Sequence, residues 1–388
     1  MTSRTRLLVL FVSTPLMMFA LVGGLLGKVS AGQTSYQHLR VFEDAVQLIL
    51  SGYVEEVDVH RVMDGAMRGL VDGLDADSAY LTPEQARAIE QGTPLPEAGI
   101  GVELTRQYYL RVIAARDGSP AARAGLRTGD FIRAIDGRAS RDMSVFEGTR
   151  LLRGQPGSSV TLTVIRGNAA DPHLLKLTRE TPAGLDVSAR VIQPGIGYVR
   201  VAAFGPGVAD QIKRRIDELA RGGASRVVID IRQTAEGSLD TGIAAARLFV
   251  ASGTLAIRAA RDGHQEIIAA TPGDGAISAQ VTLLTNHGTA GAAELFAAAL
   301  AANGRADIVG ERTAGRAGVQ KLVRLPEERA LWLTTARYLT PKGEALHTRG
   351  LPPTVEVAEP DVDFGGAPPP GDPILDAALE RLGVKRAA

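Results

Sequence analysis

The sequence contains no cysteine. A disulfide framework, a thiol nucleophile and thiolate metal sites are excluded together. It also has no net charge: 43 basic residues balance 43 acidic ones, and no block of one sign stands out. The electrostatic footprint of a nucleic-acid-binding protein is therefore missing. Histidine is sparse. The six (His38, His60, His173, His264, His287, His347) are scattered with no ligand-like pair at helical spacing, so no metal and no cofactor is expected. Serine is lacking from the last part of the chain, none occurring after Ser278. What the chain does have is length: 388 residues give room for two or three domains and a large buried core.

An uncharged run from Leu7 to Gly27 lies between Arg4 and Arg6 on one side and Lys28 on the other. It is about as long as a membrane-spanning helix and longer than a usual signal-peptide core. Residues 1–32 are expected to be a membrane anchor or, with Val29-Ser30-Ala31 as the cleavage site, a signal peptide. Positive charge ahead of the run favours an amino terminus in the cytoplasm and the bulk of the chain outside. The expected location is the bacterial cell envelope: the periplasmic side of the inner membrane if anchored, the periplasm if cleaved.

Residues 33–95 carry a helical pattern. Val41, Phe42, Ala45, Val46, Leu48 and Ile49 make one apolar face, and Val62, Met63, Ala66, Met67 and Leu70 another. Next comes Leu74-Asp75-Ala76-Asp77-Ser78-Ala79-Tyr80-Leu81-Thr82-Pro83, in which short polar side chains suit a helix-ending turn better than a cation site.

Strand character begins with Ile100, Val102 and Leu104, alternating with Gly101 and Glu103, and continues in Tyr109 to Ala114. Then come Gly118-Ser119-Pro120-Ala121-Ala122-Arg123-Ala124-Gly125-Leu126 and Gly129-Asp130-Phe131-Ile132-Arg133-Ala134-Ile135-Asp136-Gly137, a helix from Ser144 to Leu152, the turn Gly154-Gln155-Pro156-Gly157 and a strand from Val160 to Arg166. The stretch 96–182 closely resembles a bacterial PDZ domain. That resemblance implies strand addition, a peptide pairing its backbone with a sheet edge. It also implies that Gly99, Ile100, Gly101 and Val102 form the loop that cradles a terminal carboxylate with backbone N–H groups. The alternative use of such a domain is a structural lid on the core.

From Gly197 the period changes to alternating strands and helices: Tyr198 to Phe204, a helix with Val208, Ile212, Ile216 and Leu219 on one stripe, then the apolar strand Arg226 to Ile231. This βαβ pattern implies a largely parallel sheet covered on both faces. Residues 361–388 read as a Pro- and Gly-rich linker and a helix from Ile374 to Leu382.

The chemistry would sit where the strand Val281 to Thr285 ends in Asn286-His287-Gly288-Thr289-Ala290-Gly291 and an apolar helix, Ala292 to Ala302, begins. Backbone N–H groups at a helix start stabilise developing negative charge. Downstream lies Gly310-Glu311-Arg312-Thr313-Ala314-Gly315-Arg316-Ala317-Gly318-Val319-Gln320. Together with Leu339-Thr340-Pro341-Lys342-Gly343 and Gly350-Leu351-Pro352-Pro353-Thr354, these segments resemble the C-terminal processing peptidases, also called tail-specific proteases, which are Ser-Lys enzymes carrying a PDZ domain. The resemblance runs from Val41 to Val357. The fold class expected is α/β and β multidomain: an N-terminal helical segment, a PDZ-like small β barrel with helices, and an α/β core of the tail-specific peptidase type over 183–360.

The family's pattern places the nucleophile at Gly291, the general-base lysine at Arg316, a glutamine at Gln320 and oxyanion-hole donors at Gly237 and Ala292. Only the glutamine matches among the three catalytic positions. Glycine has no side chain to attack a carbonyl, and a guanidinium cannot accept a proton near neutrality. In the oxyanion segment, Asp230-Ile231-Arg232-Gln233-Thr234-Ala235-Glu236-Gly237, the family has glycine where Glu236 stands, and a carboxylate there is expected to oppose an oxyanion. Thr289 as a substitute nucleophile, with Lys321 or His287 as base, is the rearrangement open to the chain. The expectation is a catalytically inactive homologue that holds polypeptide C-terminal tails or a partner protein through its PDZ domain and vacant cleft. The alternative is an active serine-type endopeptidase with rearranged catalytic groups.

Overall fold

A computed structural model of the chain describes residues 39–167, 171–182, 185–366 and 370–383. The described residues fall into two compact units, one ending at Gly69 and the other starting at Leu70. The expected anchor or signal, residues 1–32, lies outside the described residues. Among the described residues no helix is long and apolar enough to cross a membrane.

The first unit is helical, as its sequence predicts: α1 covers residues 39–52 and α2, Val59–Asp72, begins there. Of their apolar residues Val41, Leu48, Ile49 and Leu70 are exposed, while Phe42, Val46, Val62, Met63, Ala66 and Met67 are half-buried.

The second unit holds three sheets. The sequence pattern reads residues 33–95 as a helical region broken by a helix-ending turn in 74–83; within that segment β1 (Ala79–Leu81) is a strand, which the pattern does not show, ahead of α3 (Pro83–Glu90). All three of its residues are buried. The reason is the turn before it. Asp75 accepts the N–H groups of Asp77 (2.9 Å) and Ser78 (2.7 Å) and so ends the helical run. The freed backbone then pairs antiparallel with a later strand.

The PDZ-like part is an antiparallel sheet in the order β2-β3-β4-β6-β7, built from β2 (Val102–Gln107), β3 (Tyr109–Ala115), β4 (Phe131–Ile135), β5 (Arg138–Ala139, paired with β4), β6 (Ser159–Ile165) and β7 (His173–Thr178). It is closed by α4 (Pro120–Arg123) and α5 (Val145–Leu152). Ser119 and Ser144 cap these helices by accepting the N–H groups of Ala122 and Glu147. Its core includes Ile100, Leu104, Leu110, Ile132, Leu152 and Leu162.

The α/β core contains a sheet in the order β17-β14-β13-β10-β9-β8. In chain order its elements are β8 (Val187–Gln193), β9 (Ile196–Val201), α6 (Val208–Arg221), β10 (Arg226–Asp230), α7 (Leu239–Arg247), β11 (Thr254–Ala260), β12 (Gln265–Ala269), β13 (Gln280–Thr285), α8 (Ala292–Ala302), β14 (Ala306–Gly310), β15 (Gly318–Arg324), β16 (Ala330–Leu339), β17 (Val355–Glu356) and α9 (Pro373–Arg381). β9, β10, β13, β14 and β17 are parallel, and only the edge strand β8 is antiparallel. Alternate residues of β10 go to opposite faces: Val227 and Ile229 join the core with α6, α7 and α8, while Val228 packs with Ile374, Ala378 and Leu382 around α9. Both faces are therefore covered, as the apolar strands imply. The third sheet runs β1-β16-β11-β12, with β15 also on β16.

Helix α8 is the centre of this core, and Ala292 to Leu300 are all buried. A helix apolar on every side but for Glu294 is satisfied by full enclosure. Its approach to α7 is so close that a Cβ on Gly242 would lie 2.2 Å from the Ala292 carbonyl oxygen.

The vacant nucleophile turn and its surroundings

The turn between β13 and α8 is fixed by its own polar side chains. Asn286 accepts the N–H groups of Gln233 and Gly288, both at 3.0 Å, and donates to Glu359 at 3.0 Å. The Thr289 hydroxyl accepts the Asn286 N–H (3.1 Å) and donates to the Ile231 carbonyl (2.8 Å). Ala290 donates its N–H to the Thr234 carbonyl at 2.9 Å. Segments 231–234 and 286–290 are thus bolted together.

Gly291 is the N-cap of α8, with φ +62° and ψ −116°. L-residues adopt this backbone only under strain, and the sharp strand-to-helix turns that present hydrolase nucleophiles have that character. Space is not what keeps the position empty. A Cβ built there would meet the Arg316 carbonyl oxygen at 3.7 Å, a Leu239 methyl at 3.9 Å and the Ala235 carbonyl oxygen at 4.0 Å, all ordinary contacts.

Glu294, fully buried, holds this corner together. One carboxylate oxygen accepts the Gly315 N–H at 2.6 Å and the Thr313 hydroxyl; the other accepts the N–H groups of Gly291 (2.9 Å) and Arg316 (2.7 Å). Burial raises its pKa, and the Thr313 hydroxyl and the three N–H groups only partly offset that. The first turn of α8 and the 313–316 loop are thereby a single hydrogen-bonded piece, which brings the backbone of position 316 beside position 291.

The Arg316 side chain leaves that corner. Its Nε donates to Asp77 at 2.8 Å and its Nη1 to Glu103 of β2 at 3.4 Å. Burial alone would lower its pKa, but the two carboxylates outweigh it and raise it. Gln320, on β15, donates to the Thr334 hydroxyl at 3.1 Å, and Ser78 donates to the same hydroxyl at 3.3 Å. The structure therefore joins Gly291, Ala292 and the backbone of Arg316, and bonds Gln320 to Thr334 beside Ser78, the residue after the Asp77 that the Arg316 side chain holds.

On the oxyanion side, Gly237 has φ +128°, and its absent Cβ would fall 2.3 Å from the Phe204 carbonyl oxygen. This glycine is required for close approach to β9's continuation. From the 231–237 segment, the Ala235 carbonyl is what stands beside position 291. Glu236, the carboxylate expected to oppose an oxyanion, has a cationic partner in the fold. Arg116 of the PDZ-like part donates to Glu236 at 2.6 Å and to Asp186 at 2.7 Å, so the Glu236 carboxylate is paired, sharing one guanidinium with a second carboxylate.

Arg116 is one of several links across this seam. Asp117 takes two bonds from Arg200 (2.7 and 3.0 Å), the Thr128 hydroxyl donates to Gln233 at 2.8 Å, and Ile113 and Ala114 pack on Ala290 and Ala235. Gly288 is needed here, because a Cβ would lie 2.6 Å from the Thr128 hydroxyl. The loop Gly99 to Val102 lines a pocket with Pro120, Leu152, Arg116, Arg153, Gln233 and Glu236. The Gly99 N–H is already given to the Glu180 carbonyl at 3.0 Å, and the Gly101 carbonyl accepts the Arg116 N–H at 2.8 Å.

The substitute catalytic groups are poorly placed. Thr289 is buried with its hydroxyl engaged on both sides. Lys321 is exposed on β15, and His287 is exposed with its ring 3.8 Å from Glu311. Among the described residues no group of three or more acidic or histidine side chains could hold a metal ion. The sequence assigns no role to Glu294, Glu103 or Arg116, and reads Asp77 only as part of a polar turn. Only for Glu294, sited three residues after a helix-start glycine, is a capping signal available.

Comparison with known proteins agrees with this layout. Residues 195–357 match peptidase family S41, and residues 111–166 match a PDZ domain. The chain is 32% identical over 309 residues to a carboxyl-terminal-processing protease of Synechocystis sp., covering 78% of this chain and 72% of that one. It is 29% identical to the carboxy-terminal processing protease CtpA of Bacillus subtilis, covering 87% and 72%. Among solved structures, the photosystem II D1 C-terminal processing protease superposes with a TM-score of 0.68 at 28% identity, covering 84% of this chain and 95% of that one.

Proposed function

The chain belongs to peptidase family S41, with the PDZ domain of the C-terminal processing proteases, and we propose that within this family it is a catalytically inactive member that holds polypeptide C-terminal tails or a partner protein. The observation that carries this is Gly291: the turn that would present a nucleophile is built, hydrogen-bonded and roomy, and it presents no side chain. Arg316 supports the same conclusion, since a guanidinium shared by Asp77 and Glu103 is held charged and cannot serve as a base. Tails are the favoured ligand because the pocket at Gly99 to Val102 opens toward Gln233, Ala235 and Glu236 of the core. In the cell, the protein would work in the envelope, attached through or exported by its apolar N-terminal run.

The test is proteolysis of an unfolded protein with an apolar carboxyl tail. Wild-type protein is expected to leave it intact and to escape serine-hydrolase probes, whereas a Gly291→Ser, Arg316→Lys double variant is expected to gain turnover. Wild-type turnover that vanishes with Thr289→Ala would overturn the proposal in favour of an active endopeptidase with rearranged groups.

A further inference from the structure

Arg116 occupies an unusual position. Its backbone N–H is bonded to Gly101 of the loop that would receive a peptide's terminal carboxylate, and its side chain lines the same pocket. Its guanidinium binds two carboxylates of the same chain, Glu236 and Asp186. These two differ. Glu236 lines the pocket and its side chain is 38% exposed; Asp186 is 23% exposed and does not line the pocket. The guanidinium itself is only 12% exposed, and the two carboxylates outweigh its burial and raise its pKa.

We infer that Arg116 is the group that reads the terminal carboxylate of a bound polypeptide tail, and that Glu236 is its internal occupant, displaced when a tail enters. This rests on the tail-binding function proposed above and names the charge that recognises the tail. The exchange conserves charge: one carboxylate leaves the guanidinium for water as another arrives, and Asp186 stays. Glu236 is the more exposed of the two carboxylates on Arg116, so it is the one that water can hydrate on release. The incoming carboxylate meets a fork of N–H donors that suits it, while the apolar walls at Ile100, Pro120 and Leu152 take the last side chain. Because Glu236 belongs to the core segment that abuts Ala290 and Gly291, its release also loosens one of the ties between the PDZ domain and that segment.

The experiment uses the full chain and a short labelled peptide with an apolar last residue, as the free acid and as the amide, with binding read by fluorescence anisotropy. Glu236→Gln is expected to tighten the free acid about fivefold, the scale of one partly exposed ion pair, and to leave the amide unchanged. Arg116→Gln is expected to erase the difference between acid and amide. Glu236→Gly serves as a second removal of the carboxylate should Glu236→Gln fold poorly. An acid that binds wild type better than the amide but is indifferent to both Glu236 variants overturns the exchange while leaving tail binding intact. Equal gains for acid and amide overturn it as well. If neither peptide binds any variant, the tail-binding function falls and the exchange with it.

Discussion

At residue 291 the backbone keeps a sharp elbow, open to glycine without strain, around a position with no side chain, while at residue 316 the side chain is longer than a lysine and tied to two carboxylates. The two positions lie side by side in the fold, and they depart from the family's pattern in opposite ways. At 291 the frame is held by Glu294, which takes the Gly291 N–H whatever residue stands there. At 316 that frame again takes only the backbone N–H, so the side chain is free to be used elsewhere. The comparison shows that the geometry of this site belongs to main-chain N–H groups held by the side chains of Glu294 and Asn286, whatever stands at 291 and 316. The reactive side chains are additions to it and can be lost or redirected without altering the turn.

The sharpest way to break that comparison is to remove the carboxylate both positions share. Glu294→Ala would strand the N–H groups of Gly291, Gly315 and Arg316 and the Thr313 hydroxyl inside the core. A loss of about 3–5 kcal/mol is expected, read as a fall in Tm of roughly 5–15 °C. An unchanged Tm would mean the turn is held by something other than Glu294.

How far the site is legible in the sequence depends on distance along the chain. The apolar run of α8, interrupted only by Glu294, the apolar stretch of β10 and the ordered glycines of the PDZ domain are local patterns, and each forms the element its pattern implies. The motif order around Gly291, Arg316 and Gln320 points to the residues that matter. The use of Arg316 is hidden because Asp77 and Glu103 lie 239 and 213 residues away. The partner of Glu236 is hidden for the same reason, Arg116 lying 120 residues upstream. Strand β1 leaves no trace because three residues carry no period of their own and become a strand only against β16. The stripes of α1 and α2 show the converse: an amphipathic pattern predicts a helix without saying what covers it, and Leu39, Val41 and Leu48 are exposed.

A smaller effect is expected from Arg316→Ala, and its pH dependence is the informative part. Burial pushes the Glu103 carboxyl above its ordinary value of 4.5, with Arg316 the main group opposing that. A carboxyl raised in the fold gives its full stabilising contribution below pH 4.5 and loses it as pH rises through the folded value. Removing Arg316 enlarges that loss. The variant should therefore be less stable by about 1–2 kcal/mol near neutral pH, and the gap should narrow toward pH 4.5, where Glu103 is protonated in the fold. Thermal melts of wild type and variant across that range decide it. A gap independent of pH would show that Arg316 stabilises through packing and Asp77, with no part for Glu103.

The smallest change tests whether the elbow is merely vacant. Gly291→Ser adds a side chain whose Cβ meets nothing closer than 3.7 Å, so the cost should come only from holding a non-glycine residue at φ +62°. That strain is worth about 1 kcal/mol at the low end of its range, a few degrees in Tm. Gly288→Ser makes the control, since its Cβ would lie 2.6 Å from the Thr128 hydroxyl and 3.0 Å from the Gln233 Cα. It must push the PDZ domain off the turn or distort the turn itself, and its loss should exceed that of Gly291→Ser. If Gly291→Ser proved the worse of the two, position 291 would have to be a closed site rather than an open one. The contrast between an elbow that has kept its room and a base position that has changed its use would then fail at its first term.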